Sequence, residues 1–130
     1  MDCVFPAFAM FSETVPLGSL FSSIPGELLE ERFETLLETP DFRLERILSR
    51  GHVTPEGEWY DQETLEWVLL VEGAARLAVE GRADDIVMSP GDTLLLPAHC
   101  RHRVIWTPPD RVTVWLALHF REGVNPSSFA

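Results

Sequence analysis

The chain has 130 residues, with 21 Asp and Glu against 10 Lys and Arg and a formal net charge of −11. A chain of this length makes one domain, and it buries roughly two-thirds of the surface that its unfolded form exposes, so it folds without covalent staples. The acidic balance argues against nucleic acid and anionic membranes as partners. Two cysteines, Cys3 and Cys100, give no disulfide framework and fit a reducing cytoplasm.

Residues 1–22 read as an apolar arm carrying Phe5, Phe8 and Phe11. Pro6 and Pro16 interrupt it and it lacks a positive leading region, so it reads neither as a signal peptide nor as a membrane span. Its apolar content suits a neighbouring surface, such as that of a second subunit. Ser23-Ile24-Pro25-Gly26 reads as a helix start, and Leu29, Phe33, Leu36 and Leu37 recur at helical spacing while Glu30, Glu31 and Glu34 face water. An amphipathic helix is therefore expected over residues 23–39, ended by Thr39-Pro40.

From Phe42 the period falls toward two. Short apolar runs recur at Phe42–Ser49, Glu66–Val71, Ala74–Glu80, Asp85–Met88, Thr93–Leu96, His102–Trp106 and Val112–Phe120, with turn residues such as Gly73, Gly81 and Pro90-Gly91-Asp92 between them. This predicts an all-β domain over residues 40–122, a jelly roll of two packed sheets, followed by a polar tail over 123–130.

Side chains alternate along a strand. In the last run Val112, Val114, Leu116, Leu118 and Phe120 form an apolar core face, and Thr113, Trp115, Ala117 and His119 either line an interior or face a partner. His102, Val104 and Trp106 share one face of their run, and Glu66, Val68 and Leu70 share one face of theirs. Apolar walls with a few convergent polar groups make a ligand pocket. The pocket expected from this pattern is lined by Tyr60, Val68, Leu70, Val104, Trp106, Trp115 and His119.

The stretch Pro90 to His102 carries Gly91, Pro97, His99 and His102. It resembles the second motif of the cupin family, G-x5-P-x-G-x2-H, with His99 in the place of the inner glycine. Glu66 and Gly73 resemble the second half of the first cupin motif, H-x-H-x(3,4)-E-x6-G. The resemblance runs from about Phe42 to Phe120 and implies a double-stranded β-helix, the cupin barrel, behind an N-terminal helix.

It also implies a divalent metal, Zn, Fe, Mn or Ni, held by three histidines and a glutamate. Glu66 and His102 match two of these ligands. The two first-motif histidines are replaced by Tyr60 and Gln62 or by Trp59 and Asp61, depending on the motif's spacing, and His99 offers a further imidazole. The candidate ligands are thus Asp61, Gln62, Glu66, His99 and His102. The plainer reading pairs Glu66 with His102 by a charge-assisted hydrogen bond, Asp61 with Arg101 or Arg103, and gives His52 and His119 structural roles.

No nucleophile, histidine and acid are set out in sequence, and no phosphate-cradling glycine loop appears. Two functions follow from the resemblance: a metalloenzyme of oxygenase or isomerase type acting on a small organic molecule in the barrel, or a non-catalytic cupin that binds a small ligand or dimerises. A homodimer formed through sheet edges is expected, since exposed edges need protection.

Overall fold

A computed structural model of the chain describes residues 15–121. Eight strands follow one another: β1 (Arg32–Glu38), β2 (Phe42–Ser49), β3 (Leu65–Glu72), β4 (Ala75–Val79), β5 (Ile86–Met88), β6 (Thr93–Leu96), β7 (His102–Trp106) and β8 (Thr113–Phe120). They form a five-stranded sheet in the order β1-β2-β8-β3-β6 and a three-stranded sheet in the order β5-β4-β7. Every pairing within them is antiparallel. Val68 and Leu70 of β3, Leu96 of β6 and Trp115 of β8 meet Ala75 and Leu77 of β4 and Met88 of β5 to form the core between the sheets. The seven apolar runs from Phe42 onward are all strands, within a residue or two of their expected ends.

The helix expected over residues 23–39 is absent: residues 24–31 are irregular and 32–38 are β1, paired to β2. A helical stripe is stable only if it buries its apolar face, and here Leu29, Phe33, Leu36 and Leu37 remain 90, 50, 43 and 58% exposed. The open edge of β2 offers backbone partners instead. The register shifts between Thr35 and Leu37, leaving Leu36 as an extra residue. Such a bulge breaks two-residue alternation and imitates a helical period. Arg46 fixes this segment by donating from Nε to Glu34 (2.6 Å) and from Nη1 to the carbonyls of Leu20 (2.9 Å) and Ser22 (2.7 Å). Of the arm, residues 1–14 lie outside the described residues, as does the tail from 122 onward.

In β8 the interior face is the one carrying Thr113, Trp115, Ala117 and His119, all buried. Leu116, Leu118 and Phe120 are only half-buried, so the more apolar face is the outer one, contrary to the expectation from composition. Val114 is an exception and is buried. The chain just after β3 approaches β8 closely at Gly73, past a register shift between Leu70 and Glu72; Gly73 has φ +91°, and its missing Cβ would lie 2.7 Å from the Thr113 Cα. No helix among the described residues is long and apolar enough to cross a membrane.

Candidate functional site

Between the two sheets a cavity of about 60 Å³ opens at the end of the core where β3, β7 and β8 meet the segment before β3. Its apolar wall is Val68, Leu77, Leu96, Val104 and Trp115 from the barrel strands, with Ile47 of β2 and Phe33 of β1. Its polar side chains are Glu31, Glu45, Tyr60, Gln62, Glu66, His102 and His119. Strand alternation explains the placement. Glu66 and Val68 point inward from β3, Trp115 and His119 from β8, and Glu45 and Ile47 from β2. Glu66 lies opposite His119 in the β3–β8 ladder.

The segment before β3 is aligned by a bridge to β7. The Tyr60 amide donates to the His102 carbonyl (2.8 Å), and the His102 amide to that of Tyr60 (3.1 Å). The two rings stack with centroids 5.4 Å apart. Two residues on, the Gln62 carbonyl accepts from the His99 amide (2.7 Å), so the segment stays extended and Gln62 faces inward like Tyr60.

The imidazoles are oriented by their second nitrogens. His102 Nδ1 donates to the Cys100 carbonyl (2.8 Å), which leaves Nε2 to face Glu66 Oε1 at 3.6 Å. His119 Nε2 donates to Glu45 Oε1 (2.8 Å) and lies 3.9 Å from Glu66 Oε2. A chain of alternating carboxylates and imidazoles thus runs Glu45, His119, Glu66, His102. Beside it, the Trp115 indole Nε1 donates to Ser49 Oγ (3.1 Å), so the Ser49 hydroxyl turns its own proton to Glu31.

These surroundings move three proton affinities. Burial lowers the pKa of His102, but the negative charge of the nearby Glu66 carboxylate and the hydrogen bond to the Cys100 carbonyl outweigh it, so the net shift is upward. Burial pushes the Glu31 carboxyl up, against the Ser49 hydrogen bond and the charge of His52. Burial also raises Tyr60, helped by the negative charges of Glu31, Glu66 and Glu45, so its phenol stays protonated. Among the described residues, three buried polar atoms of cavity residues have no hydrogen-bond partner: Gln62 Oε1, Glu66 Oε1 and His119 Nδ1.

Of the residues singled out from sequence, Tyr60, Gln62, Glu66, Val68, His102, Val104, Trp115 and His119 line the cavity. Leu70 is fully buried in the core away from it. Trp106 is 42% exposed and points out. The β4–β7 ladder pairs Leu77 with Val104 and Arg76 with Trp106, so Ile105 is an extra residue that reverses the alternation after Val104. Asp61 and His99 meet each other on the surface, His99 Nδ1 to Asp61 Oδ1 at 2.9 Å, with side chains 46 and 67% exposed. His99 has φ +60°, the left-handed conformation that explains a glycine in the motif at this place. Arg101 pairs with Glu80 rather than Asp61.

The spacing of the first motif is therefore the one that sets Tyr60 and Gln62 in its histidine positions. Glu31, Phe33, Glu45, Ile47, Leu77 and Leu96 also line the cavity and are not among the lining residues expected from sequence. Glu45 and Ile47 were detectable as the inward alternates of β2, whereas Glu31 precedes a strand that was read as helix.

The family's metal needs three imidazoles and a carboxylate. Here a phenol and an amide stand in two of those places, and His119 spends Nε2 on Glu45. Among the described residues no three His, Cys, Asp or Glu side chains are grouped so as to hold a metal ion. The donor set does not fit that metal.

Residues 48–119 match the Cupin domain family. The chain belongs to the cupins. This cupin is 46% identical to a protein of known crystal structure from Ralstonia eutropha JMP134 proposed to be a mannose-6-phosphate isomerase; the match covers 82% of this chain and 99% of that one, with a TM-score of 0.80. It shares its fold with a cupin superfamily protein from Desulfitobacterium hafniense DCB-2 (15% identity, 76% of this chain and 84% of that one, TM-score 0.62). It shares it also with the polyketide cyclase RemF from Streptomyces resistomycificus (21% identity, 72% and 67%, TM-score 0.60). No curated protein matches this cupin.

Proposed function

We propose that this cupin binds a small organic molecule in the cavity and moves a proton on it through His102, an isomerase-type activity. The observation that carries the reading is the orientation of His102: Nδ1–H is fixed on a backbone carbonyl, so Nε2 faces the cavity beside a carboxylate that raises its proton affinity. A general base works best with a pKa near the working pH, and an imidazole raised from its ordinary value meets that condition. On an α-substituted ketone, a C–H bond breaks and its proton passes to His102 Nε2. The electron pair moves into the carbonyl, and the resulting enolate takes a proton back on the same or the neighbouring carbon. Glu66 stabilises the imidazolium formed in the first step. Such a proton transfer uses only groups of the chain. The activity suggested for the Ralstonia eutropha relative, a sugar isomerisation, is of the same reaction type.

The test is deuterium exchange at the methylene carbons of hydroxyacetone and aminoacetone in deuterated buffer, followed by proton NMR. The cupin is expected to accelerate exchange of at least one of them over buffer, and His102→Gln to abolish the acceleration. Exchange at the buffer rate for both would end the catalytic reading and leave a ligand-binding barrel.

A homodimer is proposed on the observation that β1 is the edge of the larger sheet, with Phe33, Leu36 and Leu37 exposed on a strand that has one free hydrogen-bonding edge. Two copies of such an edge pair antiparallel about a two-fold axis.

A further inference from the structure

The cavity's charge and its unmet hydrogen bonds specify a ligand class, on the reading that the cavity is a ligand site. Among the described residues three carboxylates line it, Glu31, Glu45 and Glu66, and no arginine does. The sequence contains no lysine at all. Of the three, Glu45 is engaged by His119 and by Arg43 (3.6 Å), and Glu31 by Ser49. Glu66 is different. Its side chain is 9% exposed and its Oε1 has no hydrogen-bond donor, the His102 nitrogen at 3.6 Å being too far to serve.

Gln62 Oε1 is likewise buried without a donor. His119 Nδ1 is buried without a partner as well. The two unmet oxygens of the cavity, Gln62 Oε1 and Glu66 Oε1, are both acceptors. Buried acceptors left without donors are costly, and their regular partner is a donor-rich ligand. An ammonium group has three donors and no acceptor, and it carries the charge that the carboxylates call for. A phosphate dianion has the reverse of both properties and would find no guanidinium or ammonium to meet it.

We propose that the ligand is a small organic ammonium ion whose N–H groups bond to Glu66 and Gln62 and whose carbon atoms lie against Val68 and Trp115. Sugar phosphates are refused.

The experiment is a titration of the full chain at pH 7, followed by the imidazole signals of His102 and His119 in nitrogen-edited NMR. The probes are ethanolamine, its neutral counterpart ethylene glycol, mannose 6-phosphate and zinc ion, each added to wild type, Glu66→Gln and Gln62→Met. Ethanolamine is expected to shift both signals saturably and to bind at least tenfold more tightly than ethylene glycol. Each substitution is expected to weaken it at least tenfold while leaving the folded spectrum intact, and Gln62→Met keeps the test open if Glu66→Gln does not fold. Equal binding of ethylene glycol, or tighter binding of mannose 6-phosphate, would overturn the ammonium assignment and leave the cavity as a ligand site. Saturable zinc binding lost in Glu66→Gln would overturn it in favour of a metal. No response to any probe would overturn both the assignment and the reading of the cavity as a ligand site.

Discussion

Gly73→Ala is the perturbation whose cost the structure fixes most directly. Gly73 has φ +91°, and a Cβ added there would lie 2.6 Å from Thr113 Oγ1, 2.7 Å from Thr113 Cα and 3.0 Å from Thr113 Cβ. Two of those atoms cannot swing away, because Thr113 Cα and Cβ belong to a fully buried residue of β8 whose hydroxyl donates to the Ala74 carbonyl (3.0 Å). Left-handed backbone strain on a residue with a Cβ costs about 1–2 kcal/mol. Overpacking a well-filled site adds about 1–3 kcal/mol. The expected destabilisation is thus about 2–5 kcal/mol, a large part of the stability of a domain this size.

Gly81→Ala is the control. Its φ is +85°, but its Cβ would meet nothing within 4 Å, so only the backbone strain applies, about 1–2 kcal/mol. Urea denaturation of the two variants and the wild type isolates the steric contribution at Thr113. If Gly73→Ala were no less stable than Gly81→Ala, the close approach of β3's end to β8 would not be what requires glycine, and the reasoning would fail.

Five further outcomes are expected. In Glu66→Gln the His102 pKa falls below the ordinary histidine value, since burial then acts against Cys100 alone; imidazole titration by NMR reads this, and an unchanged pKa would separate the two side chains. Because His102 is raised in the folded state, the stability it contributes is fully present below the unfolded histidine pKa and is lost as pH rises through the folded value; the pH dependence of urea midpoints should therefore flatten in that window in His102→Gln. Glu31 is raised by burial, so Glu31→Gln should gain stability relative to wild type as pH rises through the folded Glu31 pKa, with the difference vanishing in acid; a constant difference across pH would mean that Glu31 is not desolvated. Leu37→Glu places charge on the exposed face of β1 and should halve the mass found by sedimentation at micromolar concentration, whereas a wild type that already sediments as a monomer would refute the dimer. After incubation with Fe, Mn, Ni or Zn and desalting, elemental analysis should find substoichiometric metal, and a full equivalent lost in both His102→Ala and Glu66→Ala would reinstate a metal centre.

The barrel was legible because its strands are short, alternate cleanly and stand between turn residues with positive φ such as Gly73, Gly81 and Gly91. Glu66 and His102 were legible because the motifs fix them one residue at a time. Three other features depend on interruptions of strand alternation or on chain crossings, which local periodicity does not record. Leu36 is an extra residue in β1, so Phe33, Leu36 and Leu37 imitate a helix stripe. Ile105 is an extra residue in β7, so Trp106 leaves the face it was assigned. Asp61 and His99 are plausible ligands by type, yet the extended segment that turns Gln62 inward turns Asp61 outward onto His99. In β8 the inward face was less apolar than the outward one because Trp115 and His119 serve the cavity through their polar atoms.

Both Glu31 and Phe33 reach the cavity from a segment that precedes the matched region, residues 48–119, and Arg46 ties the start of that segment down through two backbone carbonyls. A carbonyl anchor does not depend on the identity of the side chains at Leu20 and Ser22. Evolution can therefore rewrite this leader, exchanging the residues at 31 and 33, while the anchoring and the two motifs stay intact. Descendants of one barrel would then diverge in what they bind without a change in either signature, and proteins grouped by those signatures alone would differ in their chemistry.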